Sequence, residues 1–129
     1  MGPKRNDSGA AAVEFALILP VLILLIGGIV DFGRAMYTEV MLTNASREGA
    51  RTAIINEATL SDVRTRASAA APTITVTTNA TMCGGAGSST TVTSSTPFNW
   101  VILGPALRMF NADSALPNSF SSQAVMRCS

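Results

Sequence analysis

One stretch sets the architecture of this chain: GAAAVEFALILPVLILLIGGIV, from Gly9 to Val30. Its part after Glu14 contains no charged residue. Counted from Ala10, the stretch is about as long as a helix needs to be to cross a bilayer. It therefore predicts a transmembrane helix over residues 10–30. A carboxylate in such a helix costs about 3 kcal/mol, so Glu14 is a candidate functional residue.

A short polar leader precedes the apolar stretch. Residues 1–9 include Lys4 and Arg5, and basic residues beside a transmembrane helix favour the cytoplasmic side. Asp7 weakens this bias without reversing it, because acids contribute little to the rule. The leader is therefore predicted to lie in the cytoplasm, and the chain after residue 30 outside the inner membrane.

The junction between leader and helix has a recognisable spacing. A glycine, four residues, a glutamate and an aromatic residue open directly into the hydrophobic helix. This arrangement resembles the type IV prepilin signal, which a prepilin peptidase cuts after the glycine. The resemblance implies cleavage between Gly9 and Ala10, and roles for Glu14 and Phe15 in recognition or assembly.

The resemblance extends further along the chain and becomes more specific. The segments AVEFAL (residues 12–17), LPV (19–21), DFGR (31–34) and NASREGAR (44–51) resemble the TadE-like pseudopilins of tight-adherence (Flp) pilus systems. After residue 51 the resemblance is thin. It implies a minor pseudopilin anchored in the bacterial inner membrane, whose partners are prepilin peptidase, other pilins and pseudopilins, and the pilus assembly platform. A head of this size argues against the major, filament-building pilin.

The position of Glu14 has a physical use in such an assembly. In a helix that starts at Ala10, residues 10 and 14 share a face, and a carboxylate in the first turn suits the positive end of the helix dipole. In a bundle of stems, the Glu14 of one subunit could neutralise the free amine of a neighbouring Ala10. The alternative is a plain membrane anchor whose glutamate lies in the headgroup region.

Composition excludes several other functions. At 129 residues the chain is one small domain plus a membrane segment, and its net charge of +1 gives no basic surface for nucleic acid. Two cysteines without any histidine fall short of a zinc ligand set. No phosphate-binding loop, nucleophile elbow or carboxylate–histidine cluster is present. We therefore expect no enzyme activity, no metal or other cofactor and no small-molecule substrate.

The two cysteines lie on the predicted extracytoplasmic side, where disulfides form and persist. A bond between Cys83 and Cys128 would close a loop of about 45 residues and contribute roughly 4 kcal/mol on the chain-entropy model. Such a staple suits a head with few aromatic residues and a modest core. The alternative is a pair of buried free thiols.

The stem is predicted to continue outside the membrane over residues 31–58. Ala45, Gly49 and Ala53 recur every fourth residue, a spacing that lets a sheet approach one helix face closely. Arg47 and Arg51 lie on a second face, with Glu48 able to pair with Arg51. That second face is either solvated or a possible partner face.

Residues 59–129 are predicted to form a small α+β periplasmic head. The first predicted element is a helix over Leu60–Ala71, capped by Thr59 with Asp62 as a weak capping box. Strands over Thr73–Thr78 and Ser89–Ser94 could form a hairpin with a long loop. Residues Phe98–Leu103 fit either a strand or a helix, and we favour a strand that runs into a loop at Gly104-Pro105. A helical turn over Ala106–Phe110 and a last strand over Phe120–Arg127 complete the head. The predicted fold class is α+β: a long N-terminal transmembrane helix, or pilin-like stem, with a small antiparallel sheet packed on its C-terminal half.

Two other functions remain open at this point. One is an unprocessed, single-pass membrane-anchored binding module whose threonine-rich sheet contacts an envelope partner. The other is a secreted domain released by an ordinary signal peptidase. The mature N-terminus separates the three possibilities, because it would be Ala10, Met1 or a residue after Gly28, respectively.

Overall fold

The computed structural model describes residues 7–55 and 57–129. The remainder of the predicted leader, including Lys4 and Arg5, lies outside the described residues. The first element, α1, is a single helix of 47 residues from Asp7 to Ala53, which is roughly 70 Å long. It continues through Pro20 and ends at Ala53, short of the predicted end of the stem at residue 58. Glu57, in the turn that follows, has a φ of 70°, which is incompatible with a right-handed helix.

Six shorter elements follow α1. They are α2 (Leu60–Ala70), β1 (Thr77–Thr81), β2 (Ser89–Pro97), α3 (Leu103–Arg108), a 3-10 turn (Asp113–Ala115) and β3 (Ser119–Arg127). The strands form one antiparallel sheet with β2 in the middle. The predicted α+β class, with a long N-terminal helix and a small antiparallel sheet, is confirmed.

The sheet packs on the face of α1 that carries small residues. Ala50 and Ala53 form a buried cluster with Val63 of α2 and Val92 of β2. A Cβ added at Gly49 would lie 3.0 Å from Cγ1 of Val92, so a larger residue would push the sheet away. The predicted close approach at this face is therefore confirmed.

The inner face of the sheet is unusually polar. Thr90, Ser94 and Thr96 share the buried face of β2 with Val92 and are themselves buried. The hydroxyls partner one another: Thr78 and Ser94 share a hydrogen bond of 3.2 Å. Within the described residues, every buried side-chain nitrogen or oxygen has a partner. The core is thus satisfied but contains little apolar volume, so the head depends on other constraints.

The second helix begins at the predicted residue and ends one residue before the predicted Ala71. Thr59 forms a capping box with Asp62, in which each side chain accepts a hydrogen bond from the backbone N–H of the other residue. Val63 and Ala67 are the buried side chains of α2. The helix ends at Ala70, as the proline at position 72 requires.

Two predicted strands are corrected. The strand expected over Thr73–Thr78 begins only at Thr77. Before that point, Ile74 and Val76 pack instead on a second cluster formed by α1 and α2. Their apolar side chains thus cover a helix pair, which an alternating pattern does not distinguish from a strand.

The strand expected over Phe98–Leu103 is absent, and the chain there enters α3 at Leu103. The expected loop at Gly104-Pro105 lies inside α3. Pro105 is tolerated because the first turn of a helix needs no intrahelical N–H donor. The chain turns helical here because Asp31 of α1 accepts hydrogen bonds from the backbone where α3 begins.

Candidate functional site

The predicted cleavage site lies within α1. Gly9 and Ala10 are exposed residues near its start, and the helix begins at Asp7, before the predicted Ala10. A Cβ added at Gly9 would meet no atom within 4 Å. The fold therefore does not require a glycine at this position, and any such requirement comes from outside the described structure.

The first part of α1 is exposed on every side. From Gly9 to Ile26 no residue is buried or half-buried, and Phe15 is 61% exposed. Glu14 is also exposed, one turn after Ala10 on the same face. No ion pair among the described residues involves the Glu14 side chain. The part of the chain that the structure describes therefore leaves this acid available to a partner.

A second acid on α1 has the opposite surroundings. Asp31, immediately after the apolar stretch, is completely buried. One oxygen, Oδ1, accepts a hydrogen bond from the backbone N–H of Val101 at 3.1 Å, and Oδ2 accepts from Ile102 at 2.8 Å and Leu103 at 2.9 Å. These donors lead into α3, whose first residue is Leu103, so Asp31 caps that helix from another element and sits at the positive end of its dipole.

The charge of Asp31 is stabilised despite its burial. Burial by itself would raise the pKa of this carboxyl. The hydrogen bonds from the backbone of Leu103, Ile102 and Val101, with the positive charge of Arg34, outweigh that effect and lower the pKa below its ordinary value. Nη1 of Arg34 lies 3.3 Å from Oδ1. Asp31 is therefore ionised at neutral pH, and its hydrogen bonds hold residues 101–103 against the stem.

Close packing surrounds this contact. A Cβ added at Gly27 would overlap the side chain of Ile102. Gly27 and Gly28 therefore lie at an interface within the chain. The ring of Trp100 packs edge-on against Phe32, with centroids 5.9 Å apart. The segment from Phe98 to Leu103 is thus held along one turn and a half of α1.

The sequence reasoning missed the role of Asp31, which it quoted only as part of the family resemblance. One signal was available: a carboxylate directly after an apolar helix, with an arginine three residues later, is a costly placement that calls for a partner. The partner could not be identified, because it is backbone about 70 residues away.

The predicted disulfide is present. Cys83, after β1, and Cys128, after β3, are bonded with their Cα atoms 5.9 Å apart. Two backbone hydrogen bonds lie beside the bond, from Gly87 N–H to the Cys128 carbonyl and from Cys128 N–H to the Ser88 carbonyl. The bond therefore ties the ends of the two outer strands together across β2.

The two arginines of the possible partner face are both exposed. Arg51 pairs with Glu48 at 3.2 Å and borders a groove of about 550 Å³ between α1 and α2. Arg47 instead borders a shallow hollow with Met36 and Val40. The two side chains thus face different surroundings, although they lie one turn apart.

Beyond residue 30 the stem keeps an exposed apolar strip, which begins at Phe32 beside the head. Phe32, Met36 and Val40 are spaced one turn apart and are 58%, 68% and 56% exposed. We call residues 32, 36 and 40 the stem strip. It continues the apolar surface of the transmembrane stretch toward Arg47.

The described residues contain no candidate metal site. In residues 7–55 and 57–129, no group of three or more His, Cys, Asp or Glu side chains is placed to hold a metal ion. The groove beside Arg51 is lined by charged residues of both signs, including Glu57 and Asp62.

Comparison with known proteins supports the resemblance stated from the sequence. Residues 9–51 match the family model described as TadE-like protein. No curated protein and no solved structure matches the chain significantly. The family match covers the exposed part of α1, Asp31 and both arginines, and it ends two residues before α1 does.

Proposed function

Because residues 9–51 match the TadE-like family, we propose that this chain is a minor pseudopilin of a tight-adherence pilus system. In this proposal α1 anchors the protein in the bacterial inner membrane, with its N-terminus in the cytoplasm and its head in the periplasm. The role is structural: the chain takes part in pilus assembly and catalyses no reaction.

The observation that carries the proposal is the unpaired surface of α1. It is long and apolar enough to cross a membrane, and its first half is exposed all round. The stem strip extends that apolar surface past the membrane stretch, where lipid no longer covers it. Exposed apolar residues at helical spacing on a stem are suited to packing against the stems of other subunits.

The start of α1 supports processing by prepilin peptidase. Gly9 and Ala10 are exposed on a helix that nothing in the described chain covers, so a protease could reach them once this end unwinds locally. The fold has no need of glycine at position 9, so a requirement of the peptidase is a sufficient reason for it. Cleavage there would place a free amine one helical turn from Glu14.

Mass spectrometry of the mature chain, extracted from membranes, tests the proposal. We expect a chain that begins at Ala10. A chain that still contains Lys4 and Arg5 would contradict processing and favour a membrane-anchored binding module. A chain that begins after Gly28 would favour a secreted domain.

A pair of variants separates recognition from assembly. Gly9→Val should leave a full-length, uncut protein, because a branched side chain crowds the peptidase site. Glu14→Ala should be cut normally but should reduce pilus formation, because the neighbouring amine loses its partner. Asp113→Ala, which removes an exposed acid of the head away from the stem surface, is the control and should give normal pili. Normal pili with Glu14→Ala would show that the acid is dispensable.

A further inference from the structure

We propose that residues 98–112, which include α3 and are here called the interfacial segment, lie in the outer leaflet of the membrane that α1 crosses. In this arrangement Val101, Met109 and Phe110 contact lipid directly. The inference rests on the proposed function in one respect only, that α1 spans the membrane. It adds a second contact with the bilayer, made by the head.

The length of the apolar stretch fixes the level of the membrane surface. Between Glu14 and Asp31 there are sixteen residues without charge, which cover about 24 Å of helix. The hydrocarbon core of a bilayer is about 30 Å thick. If Glu14 stays at the inner surface and α1 runs along the membrane normal, the outer boundary of the hydrocarbon lies about 6 Å beyond Val30, near Arg34.

The interfacial segment is held in the outer leaflet, where its contact with α1 lies about 10 Å inside this boundary. Ile102 sits directly on Gly27, and a Cβ added at Gly28 would lie 3.7 Å from the Leu103 side chain. Both glycines belong to the last turn of the apolar stretch. Since α3 has six residues, about 9 Å of helix, Phe110 remains within roughly 10 Å of this level along the membrane normal.

The chemistry of the segment suits that position. Val101, Met109 and Phe110 are 57%, 84% and 76% exposed, and only two other large apolar side chains of the described head or the turn after α1, Ile55 and Val125, are as exposed. Apolar side chains at the boundary gain free energy by entering the acyl region. No other described element covers them, and lipid is present beside them wherever α1 spans.

The polar groups of the segment are compatible with an interface. The carboxylate of Asp31 is shielded by the backbone N–H groups that it binds. Trp100 donates its indole N–H to the Pro117 carbonyl at 2.8 Å, and tryptophan is enriched at membrane surfaces. Arg108 is exposed, with its Nε 3.7 Å from Oδ2 of the exposed Asp113, and its side chain is long enough to reach lipid phosphates from a partly buried backbone.

The single tryptophan of the chain makes the test possible. Trp100→Phe provides a background in which a tryptophan is placed either at the interfacial segment, by Phe110→Trp, or at the far end of the stem, by Ile55→Trp. Each full-length protein is reconstituted into vesicles of phosphatidylethanolamine and phosphatidylglycerol that contain a lipid with a doxyl quencher near the ester end of its acyl chain. The unmodified protein, with Trp100 in place, is measured in parallel.

We expect the Phe110→Trp protein to lose fluorescence in quencher vesicles and to shift its emission to shorter wavelength, whereas the Ile55→Trp protein does neither. If both tryptophans are equally unquenched while the protein resists extraction at alkaline pH, the stem spans and the inference is overturned. If alkaline extraction removes the protein, the membrane anchor in the proposed function fails instead, and the inference fails with it. The unmodified protein controls for effects of the substitutions, because quenching of its native Trp100 is measured in a head that has not been altered.

Discussion

The two halves of α1 have the same secondary structure but opposite surroundings. From Gly9 to Ile26 every residue is exposed, whereas from Gly27 to Ala53 one face is buried at intervals of three or four residues. The second half therefore finds its packing partners within its own chain. The first half finds none among the described residues, so its surroundings must be lipid or other proteins.

The residue types at the two halves reflect this difference. The exposed first half consists mainly of Leu, Ile and Val, which any apolar environment accommodates without specific geometry. The buried face of the second half uses small or polar residues, including Asp31, Ala45 and Ser46, because a sheet and a helix approach it closely. Volume and hydrogen bonding matter in the second half, and hydrophobicity alone matters in the first.

The largest difference is expected between Glu14 and Asp31, one acid from each half of α1. Asp31→Ala should lower the free energy of unfolding of the head by about 3–5 kcal/mol, because three backbone N–H groups lose a buried charged partner. Glu14→Ala should leave it unchanged. Denaturant unfolding in detergent, followed by the fluorescence of Trp100, measures both, and equal effects would abolish the distinction between the halves.

Removal of the disulfide should rank next. The double variant Cys83→Ser, Cys128→Ser should lose about 2–4 kcal/mol of unfolding free energy, with α1 still helical by circular dichroism. The effect should be confined to the head, since the bond links only the ends of the sheet. Addition of reductant to the unmodified protein is the control. A loss of stem helicity would mean that the two halves are coupled more tightly than their contacts indicate.

A pair of glycines gives a smaller and sharper comparison. Gly27→Ala should destabilise the contact between stem and interfacial segment by about 1–3 kcal/mol, because the added methyl overlaps Ile102. Gly9→Ala, at a position with free space, should be neutral or slightly stabilising to the helix. The same fluorescence assay applies, and a neutral Gly27→Ala would show that the segment shifts easily on the stem.

The smallest effect is a dependence on pH. The pKa of Asp31 is lowered by folding, so its contribution is complete above its ordinary value of 3.8 and is lost as the pH falls through the lower, folded value. Stability should therefore be nearly constant from neutral pH to about pH 5 and decline below about pH 4. Asp31→Asn should flatten part of this decline. The part that remains belongs to other acids, such as Asp62, whose pKa is lowered by hydrogen bonds from the side chain and backbone of Thr59.

Local patterns predicted the parts of the fold that depend on neighbouring residues. The apolar stretch, the capping box at Thr59 and the last strand all followed from spacing and residue type. The hairpin over β1 and β2 also followed, but β1 begins four residues after the predicted start. The reason is that Ile74 packs on α1 and α2 and does not join the sheet. A β-branched run predicts an extended chain, and only tertiary contacts decide whether it joins a sheet.

The contact at Asp31 illustrates what sequence alone could not supply. Its donors are backbone N–H groups, which every residue except proline carries, so no residue type marks them. The apolar segment that contains those donors was predicted as a strand because its composition fits one. It becomes a helix because a carboxylate on another element satisfies its first N–H groups. Partners of this kind are visible only once the topology is known.

The covalent ring closed by Cys83 and Cys128 has a mechanical consequence. Tension applied along a stem would pass through the backbone hydrogen bonds of α1, because the chain leaves the stem axis after Ala53 and never rejoins it covalently. The ring thus lies in a side branch that carries no load. In a filament under pulling force, the head could not lengthen the structure by unfolding, and extensibility would reside in the stems and in the contacts between them.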